Sequence, residues 1–211
     1  MDTNSQKEDG QHVGALILAT GNPHKTREFR ELLGDGFELR DLRVFPNIVL
    51  PEETGHTFVE NAALKAIAAS QDRQLRGSLI VADDSGLEVD ALGGAPGVYS
   101  ARYAGENASD ESNVAKLLNE LRARKETRSA RFRSVIALAR NGELLKTFEG
   151  SVAGEIVDLP RGTNGFGYDP VFRPSGFGQT FAEMAPETKN TISHRARAIA
   201  ALRESLRELA D

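Results

Sequence analysis

Short apolar runs that stop at turn residues alternate with stripes at helical spacing through the first half of the chain. Ala15 to Ala19 is such a run, and Thr20-Gly21-Asn22-Pro23 ends it, as expected of a buried strand entering a turn. Phe29, Leu32 and Leu33 follow at helical spacing with Glu28 and Glu31 on other faces, which predicts strand, tight turn, helix. Phe58 to Ala69 is rich in helix formers behind a capping residue, Thr57, and predicts a second helix. Ser78 to Ala82 predicts a strand that ends where Asp83-Asp84-Ser85-Gly86 begins. A helix near Glu111 to Arg124 carries Val114, Leu117, Leu118 and Leu121 as one stripe. Phe132 to Ala139 and Leu144 to Val157 predict two strands joined through Asn141-Gly142, a pair suited to a tight hairpin. A last helix from about Ile192 to Leu209 places Ile199, Leu202, Leu206 and Leu209 on one face. Early alternation followed by a late hairpin predicts an α/β fold, a mixed sheet flanked by helices.

At 211 residues and 39% hydrophobic, the chain can bury one sizeable core, so a single domain over residues 13–211 is expected. Its longest apolar runs fall far short of the roughly 20 residues that span a bilayer, which predicts no membrane partner. Residues 1–12 are polar and lack the apolar core of a signal peptide, and they read as a disordered tail on a cytoplasmic protein. The absence of cysteine excludes disulfides, thiolate metal sites and cysteine nucleophiles together. A formal net charge of −5 argues against nucleic acid as a partner, but not against a small phosphate ligand held by local donors and a metal.

Four segments carry candidate chemistry. Thr20-Gly21-Asn22-Pro23-His24-Lys25 joins a strand to a helix, where free backbone N–H groups, the positive helix end and Lys25 would suit a phosphate chain; the alternative is a structural turn. It is not a Walker A loop, because G-x-x-x-x-G-K-[ST] is absent. Glu52, Glu53, Asp83 and Asp84 offer the oxygen ligands that magnesium takes, against the alternative of solvated loop charge for the two glutamates. Two adjacent aspartates suggest a division of labour, one serving metal or water while the other is held by backbone. In Gly162 to Pro170 the glycines permit close backbone approach and Phe166 could stack on a base; alternatively Phe166 and Tyr168 anchor the loop to the core. Lys189 and Ser193-His194-Arg195 offer donors near a helix start, with no acidic neighbour in sequence to pair with Arg195; a cap followed by a basic surface is the alternative. Ser85 and Ser193 lack the G-x-S-x-G setting of a serine nucleophile.

Taken jointly, these segments closely resemble the inosine triphosphate pyrophosphatase (Ham1-like) family. The likeness runs through Thr20 to Lys25, Glu52 to Ala62, Ala82 to Leu87, Gly93 to Tyr103, Gly165 to Pro170 and Ser193 to Arg195, in the family's order and over nearly all of residues 15–200. The resemblance implies an elongated α/β fold with two lobes around a nucleotide-binding cleft, assembled as a homodimer. It implies hydrolysis of ITP, dITP and XTP to the monophosphate and pyrophosphate, with Mg2+ as cofactor. It also implies that Thr20, Gly21, Asn22, Pro23, His24 and Lys25 bind phosphate. Glu52 and Asp84 would bind the metal, Glu53 being the alternative to Glu52, and Asp84 would serve as the proton acceptor. Ser85, Phe166, Gly167, Tyr168, Asp169, Lys189, His194 and Arg195 would contact the nucleotide.

Overall fold

The structure is a computed structural model that describes residues 15–124 and 127–209. The tail expected at residues 1–12 lies outside the described residues. The elements run β1 (Leu16–Leu18), α1 (Pro23–Leu33), β2 (Leu39–Asp41), α2 (Phe58–Ser70), β3 (Leu79–Val89), α3 (Asp110–Arg122), β4 (Ser129–Arg140), β5 (Glu143–Ile156), β6 (Phe172–Pro174), α4 (Pro186–Ile192) and α5 (His194–Glu208). Among the described residues six strands form one mixed sheet in the order β2-β1-β3-β4-β5-β6. β1 runs parallel to β2 and β3, and every later pairing is antiparallel. No described helix is long and apolar enough to cross a membrane.

Local chemistry explains most of these elements. Thr57 and Glu60 form a reciprocal capping box at the start of α2, each side chain meeting the other's backbone N–H. Asn141 and Gly142 both take positive φ, 54° and 87°, the combination that lets a two-residue turn follow the twist of β4 and β5. The apolar stripe of α3 buries Val114, Leu117, Leu118 and Leu121 as expected. On β3 and β4, alternate residues point to opposite faces. Leu79, Val81, Ile136 and Leu138 pack with α1 and α5, whereas Ile80, Ala82, Val135 and Ala137 pack with α2. A third cluster joins Leu87 and Val89 of β3 to α3, Phe132, Phe172 and Phe181. The long central strands thus carry apolar packing at both ends, with polar residues between.

Three expectations are corrected. β3 does not end at Ala82: Asp83, Asp84, Ser85 and Gly86 lie inside it, paired with Ile136, Val135, Ser134 and Arg133 of β4. The ladder can continue through two aspartates because cations from neighbouring elements meet their carboxylates. The last helix begins at His194 rather than Ile192, because Ser193 is both the C-cap of α4 and the N-cap of α5, its side chain accepting from the Ala196 N–H at 3.1 Å. Leu209 is the C-cap residue and is 52% exposed, so it does not extend the buried face of Ile199, Leu202 and Leu206. β2, β6 and α4 have no counterpart in the sequence reading, being short segments without a legible period.

Candidate active site

A cleft of about 320 Å³ opens where the turn after β1, the middle of β3, the 166–169 loop and the starts of α4 and α5 converge. One end is the turn before α1. Thr20, Gly21, Asn22 and Lys25 line it, whereas Pro23 and His24 do not. The N–H groups of His24 and Lys25 are not free for a ligand as expected, because the Asn22 side chain caps the helix and accepts both, at 2.9 and 3.4 Å. Lys25 Nζ lies 2.7 Å from Asp83 Oδ2 and donates to the Asp83 carbonyl at 3.2 Å. Burial pulls the Lys25 ammonium below the ordinary lysine range, against the attraction of Asp83.

The middle of the cleft is built on β3, whose pleat sends its two aspartates to opposite faces. Asp83 points toward α1 and α5. Its Oδ1 accepts from Ser134 Oγ at 2.6 Å, and its Oδ2 accepts from Lys25, from Ser85 Oγ at 3.1 Å and from Arg195 Nη2 at 3.0 Å. Burial would raise this carboxyl, but Arg195 and Lys25 outweigh it and hold Asp83 well below the usual carboxylate range. Asp84 points toward α2. Its Oδ1 accepts the Ser85 N–H at 3.1 Å and lies 3.7 Å from Lys65 Nζ, while its buried Oδ2 has no partner among the described residues. Burial pushes this carboxyl up, and Lys65 and Lys25 only partly offset that.

Of the two glutamates, the structure brings Glu53 to the cleft and leaves Glu52 exposed outside it. Glu53 Oε1 is 2.5 Å from Lys65 Nζ, so Lys65 ties Glu53 to Asp84. The sequence reading did not single out Lys65. A signal was present: Phe58, Ala62, Lys65, Ala66 and Ala69 share one helix stripe, and a lone lysine on an apolar stripe requires a buried partner.

The other end holds Phe166, Gly167, Tyr168, Asp169, Lys189, His194 and Arg195, all on the cleft wall. Lys189 Nζ bridges Asp169 Oδ2 at 2.7 Å and Glu28 Oε1 at 2.8 Å. Arg195 is buried rather than part of a basic surface, and it pairs with Glu28 and Asp83, acidic partners remote in sequence. Burial alone would raise Glu28, but Arg195 and Lys189 hold it down to about 2. His194 stacks on Phe132 at 4.8 Å, and its burial drives the ring well below the ordinary histidine range, so it is neutral at pH 7. Its Nδ1 and the Arg195 Nε have no partner among the described residues. Tyr168 anchors the loop, donating its hydroxyl to the Ser100 carbonyl at 2.9 Å. Phe166 is half-buried, and His24 stacks on it at 5.3 Å between ring centroids.

Two glycines make this geometry possible. A Cβ at Gly150 of β5 would overlap the His194 carbonyl and the Ala198 N–H, so only glycine lets the start of α5 lie directly on the sheet. Gly165 has φ +76°, and a Cβ there would collide with the Asp169 carboxylate that Lys189 holds.

The chain and its fold are similar to known proteins. The model of the Ham1 family matches residues 16–205. The chain is 52% identical over 189 residues to a dITP/XTP pyrophosphatase of Bacillus licheniformis, covering 87% of this chain and 93% of that protein. It is 48% identical over 192 residues to the dITP/XTP pyrophosphatase of Bacillus subtilis, covering 90% and 96%. Among solved structures, a HAM1 protein from Coxiella burnetii superposes with a TM-score of 0.83 at 44% identity, covering 92% of this chain and 98% of that one. The Ham1 protein of Staphylococcus aureus gives 0.80 at 42% identity, with the same coverage. The match of the family model to residues 16–205, with relatives about half identical over most of both chains, shows that the chain belongs to the Ham1 family.

Proposed function

We propose that this chain hydrolyses non-standard purine nucleoside triphosphates, ITP, dITP and XTP, to the monophosphate and pyrophosphate, with magnesium as its metal. One observation carries the reading. A single cleft is lined by Lys25 and Lys65, by Asp84, whose buried Oδ2 has no partner among the described residues, and by Phe166, His194 and Arg195. It therefore offers cations for a phosphate chain, an acceptor in the middle and an aromatic, donor-bearing end for a base. The relatives named dITP/XTP pyrophosphatases support the substrate class.

The donor set fits magnesium. Among the described residues no cluster of three or more acidic, histidine or cysteine side chains could hold a metal alone. Magnesium commonly takes one or two carboxylates and completes its shell with substrate phosphates and water. Asp84 and Glu53, bridged by Lys65, are the residues that would hold it, with Glu53 in place of Glu52. Bound there, the ion would neutralise charge on the phosphate oxygens as the α–β anhydride breaks.

The chain's own groups supply the rest. Lys25, and the Thr20 to Asn22 turn, hold the phosphates in line. Asp84 accepts the proton of the attacking water through its carboxylate. Phe166 stacks on the purine, and Arg195 and His194, on the wall of the same cleft, supply donors to its edge. Hypoxanthine and xanthine present an oxygen at C6, whereas the adenine amino group would set donor against donor, a mismatch worth a factor of about 10⁴ in sites built for one partner. As parts of the same reading, residues 13–211 act as one domain and the chain works as a homodimer in the cytoplasm. The continuous sheet, the lack of cysteine and the family resemblance support these.

Product analysis tests the proposal. ITP and XTP should give monophosphate and pyrophosphate in the presence of magnesium, and ATP should be a poor substrate. Orthophosphate and diphosphate as the first products would mean attack at the γ-phosphorus and would sink it.

A further inference from the structure

Asp83 is a fully buried carboxylate that is not among the residues lining the cleft. Yet its Oδ2 alone receives Lys25 at 2.7 Å, Arg195 at 3.0 Å and Ser85 Oγ at 3.1 Å. Its carbonyl receives Lys25 again at 3.2 Å and Lys65 at 2.9 Å. In the reading proposed above Lys25 serves phosphate and Arg195 serves the base, and because both reach the same carboxylate oxygen the two cations meet where those parts of the cleft join. Two like charges sharing one oxygen would separate without it, since their mutual repulsion is strong where water is excluded. Ser134, itself fully buried, fixes the other oxygen at 2.6 Å and so sets the direction of the carboxylate.

We propose that Asp83 is a positioning residue that holds the phosphate-end cation Lys25 and the base-end cation Arg195 in one mutual geometry, so that a single buried carboxylate tunes both ends of the cleft. The inference rests on the proposed function for its assignment of the two ends. It differs from a purely structural role in requiring that two chemically unrelated ligands weaken together when Asp83 is neutralised.

The test uses the full chain with magnesium and two partial ligands, inorganic triphosphate for the phosphate end and inosine for the base end, each measured by calorimetry. Asp83→Asn keeps the shape and should weaken both ligands by about tenfold or more, the scale for losing one partner of a buried charge pair. Lys25→Met, which keeps the aliphatic stem, should weaken only triphosphate. Combining the two should cost triphosphate little beyond Lys25→Met alone, because Asp83 acts on that ligand through Lys25. An Asp83→Asn protein that melts near wild type and binds either ligand normally overturns the proposal, as does full additivity of the pair. Should Asp83→Asn fail to fold, Ser134→Ala loosens the same carboxylate and should weaken both ligands by about threefold. Unchanged binding of either ligand in that variant is equally decisive against it. A wild-type protein that binds both ligands but releases no pyrophosphate from ITP would instead count against the proposed function.

Discussion

Asp83 and Asp84 are neighbours on one strand, and the pleat of β3 gives them opposite surroundings. On the α1 and α5 face every oxygen of Asp83 is met, and the pairs continue from Asp83 to Arg195, Glu28, Lys189 and Asp169. On the α2 face Asp84 keeps one oxygen without a partner among the described residues and a carboxyl raised by burial. The difference teaches that burial of a charge does not by itself mark a reactive group. A paired carboxylate is fixed in place and unreactive, whereas the one left short of partners can take a proton or a cation. Of the division of labour expected of the two aspartates, the structure shows the held one, Asp83, fixed by side-chain cations and Ser134 rather than by backbone, and the metal or water role of Asp84 belongs to the proposed function.

The largest expected effect breaks the reactive face. Asp84→Asn should lower ITP turnover by about 10³-fold while leaving the melting temperature near wild type, since its ion pair to Lys65 is a long one, at 3.7 Å. Turnover within a few-fold of wild type would erase the contrast between the two aspartates.

Next comes the paired face, probed through Glu28. Its folded value of about 2 lies below the ordinary 4.5, so its contribution to stability is present above pH 4.5 and is lost as pH falls toward 2. A shift of that size corresponds to about 3 kcal/mol at neutral pH. Glu28→Gln should therefore be less stable than wild type at pH 7 by about that order, and the gap should narrow toward pH 3, as read from urea midpoints. A gap independent of pH would show that the ion pairs of Glu28 add nothing to stability.

Phe166→Ala should weaken ITP by about 1–3 kcal/mol while keeping the ratio of kcat/KM between ITP and ATP, because stacking tolerates any base. A collapsed ratio would assign base choice to Phe166 itself. The smallest effect is expected of His24, which stacks on Phe166 without lining the cleft. His24→Ala should raise KM by about threefold with kcat unchanged, the scale of one aromatic contact. A change in kcat alone would place His24 in the chemistry instead.

How legible each part was in the sequence follows from the range of the interactions that build it. The Thr57 cap, the Asn141-Gly142 turn and the stripe of α3 are set within a few residues, and all were readable, although the Glu60 half of the capping box was not singled out. So was the strand–turn–helix unit at Thr20 to Lys25, except that its own Asn22 takes N–H groups expected to be free. The course of β3 through Asp83 and Asp84 was not, because the cations that permit it come from residues 25, 65 and 195. Arg195 seemed unpaired for the same reason: Glu28 lies 167 residues away in the chain. The choice between Glu52 and Glu53 depended on which one Lys65 reaches, a matter of packing rather than spacing.

The pairing of charges around the cleft has a kinetic consequence. Lys25, Lys65, Lys189 and Arg195 are each already matched to a carboxylate of the protein. A polyanion approaching from solvent therefore meets local dipoles and little net positive field, in a chain whose formal charge is −5. Its capture should owe little to long-range steering. The rate of association should change only weakly with ionic strength, and a triphosphate should enter most readily when it carries its own countercharge.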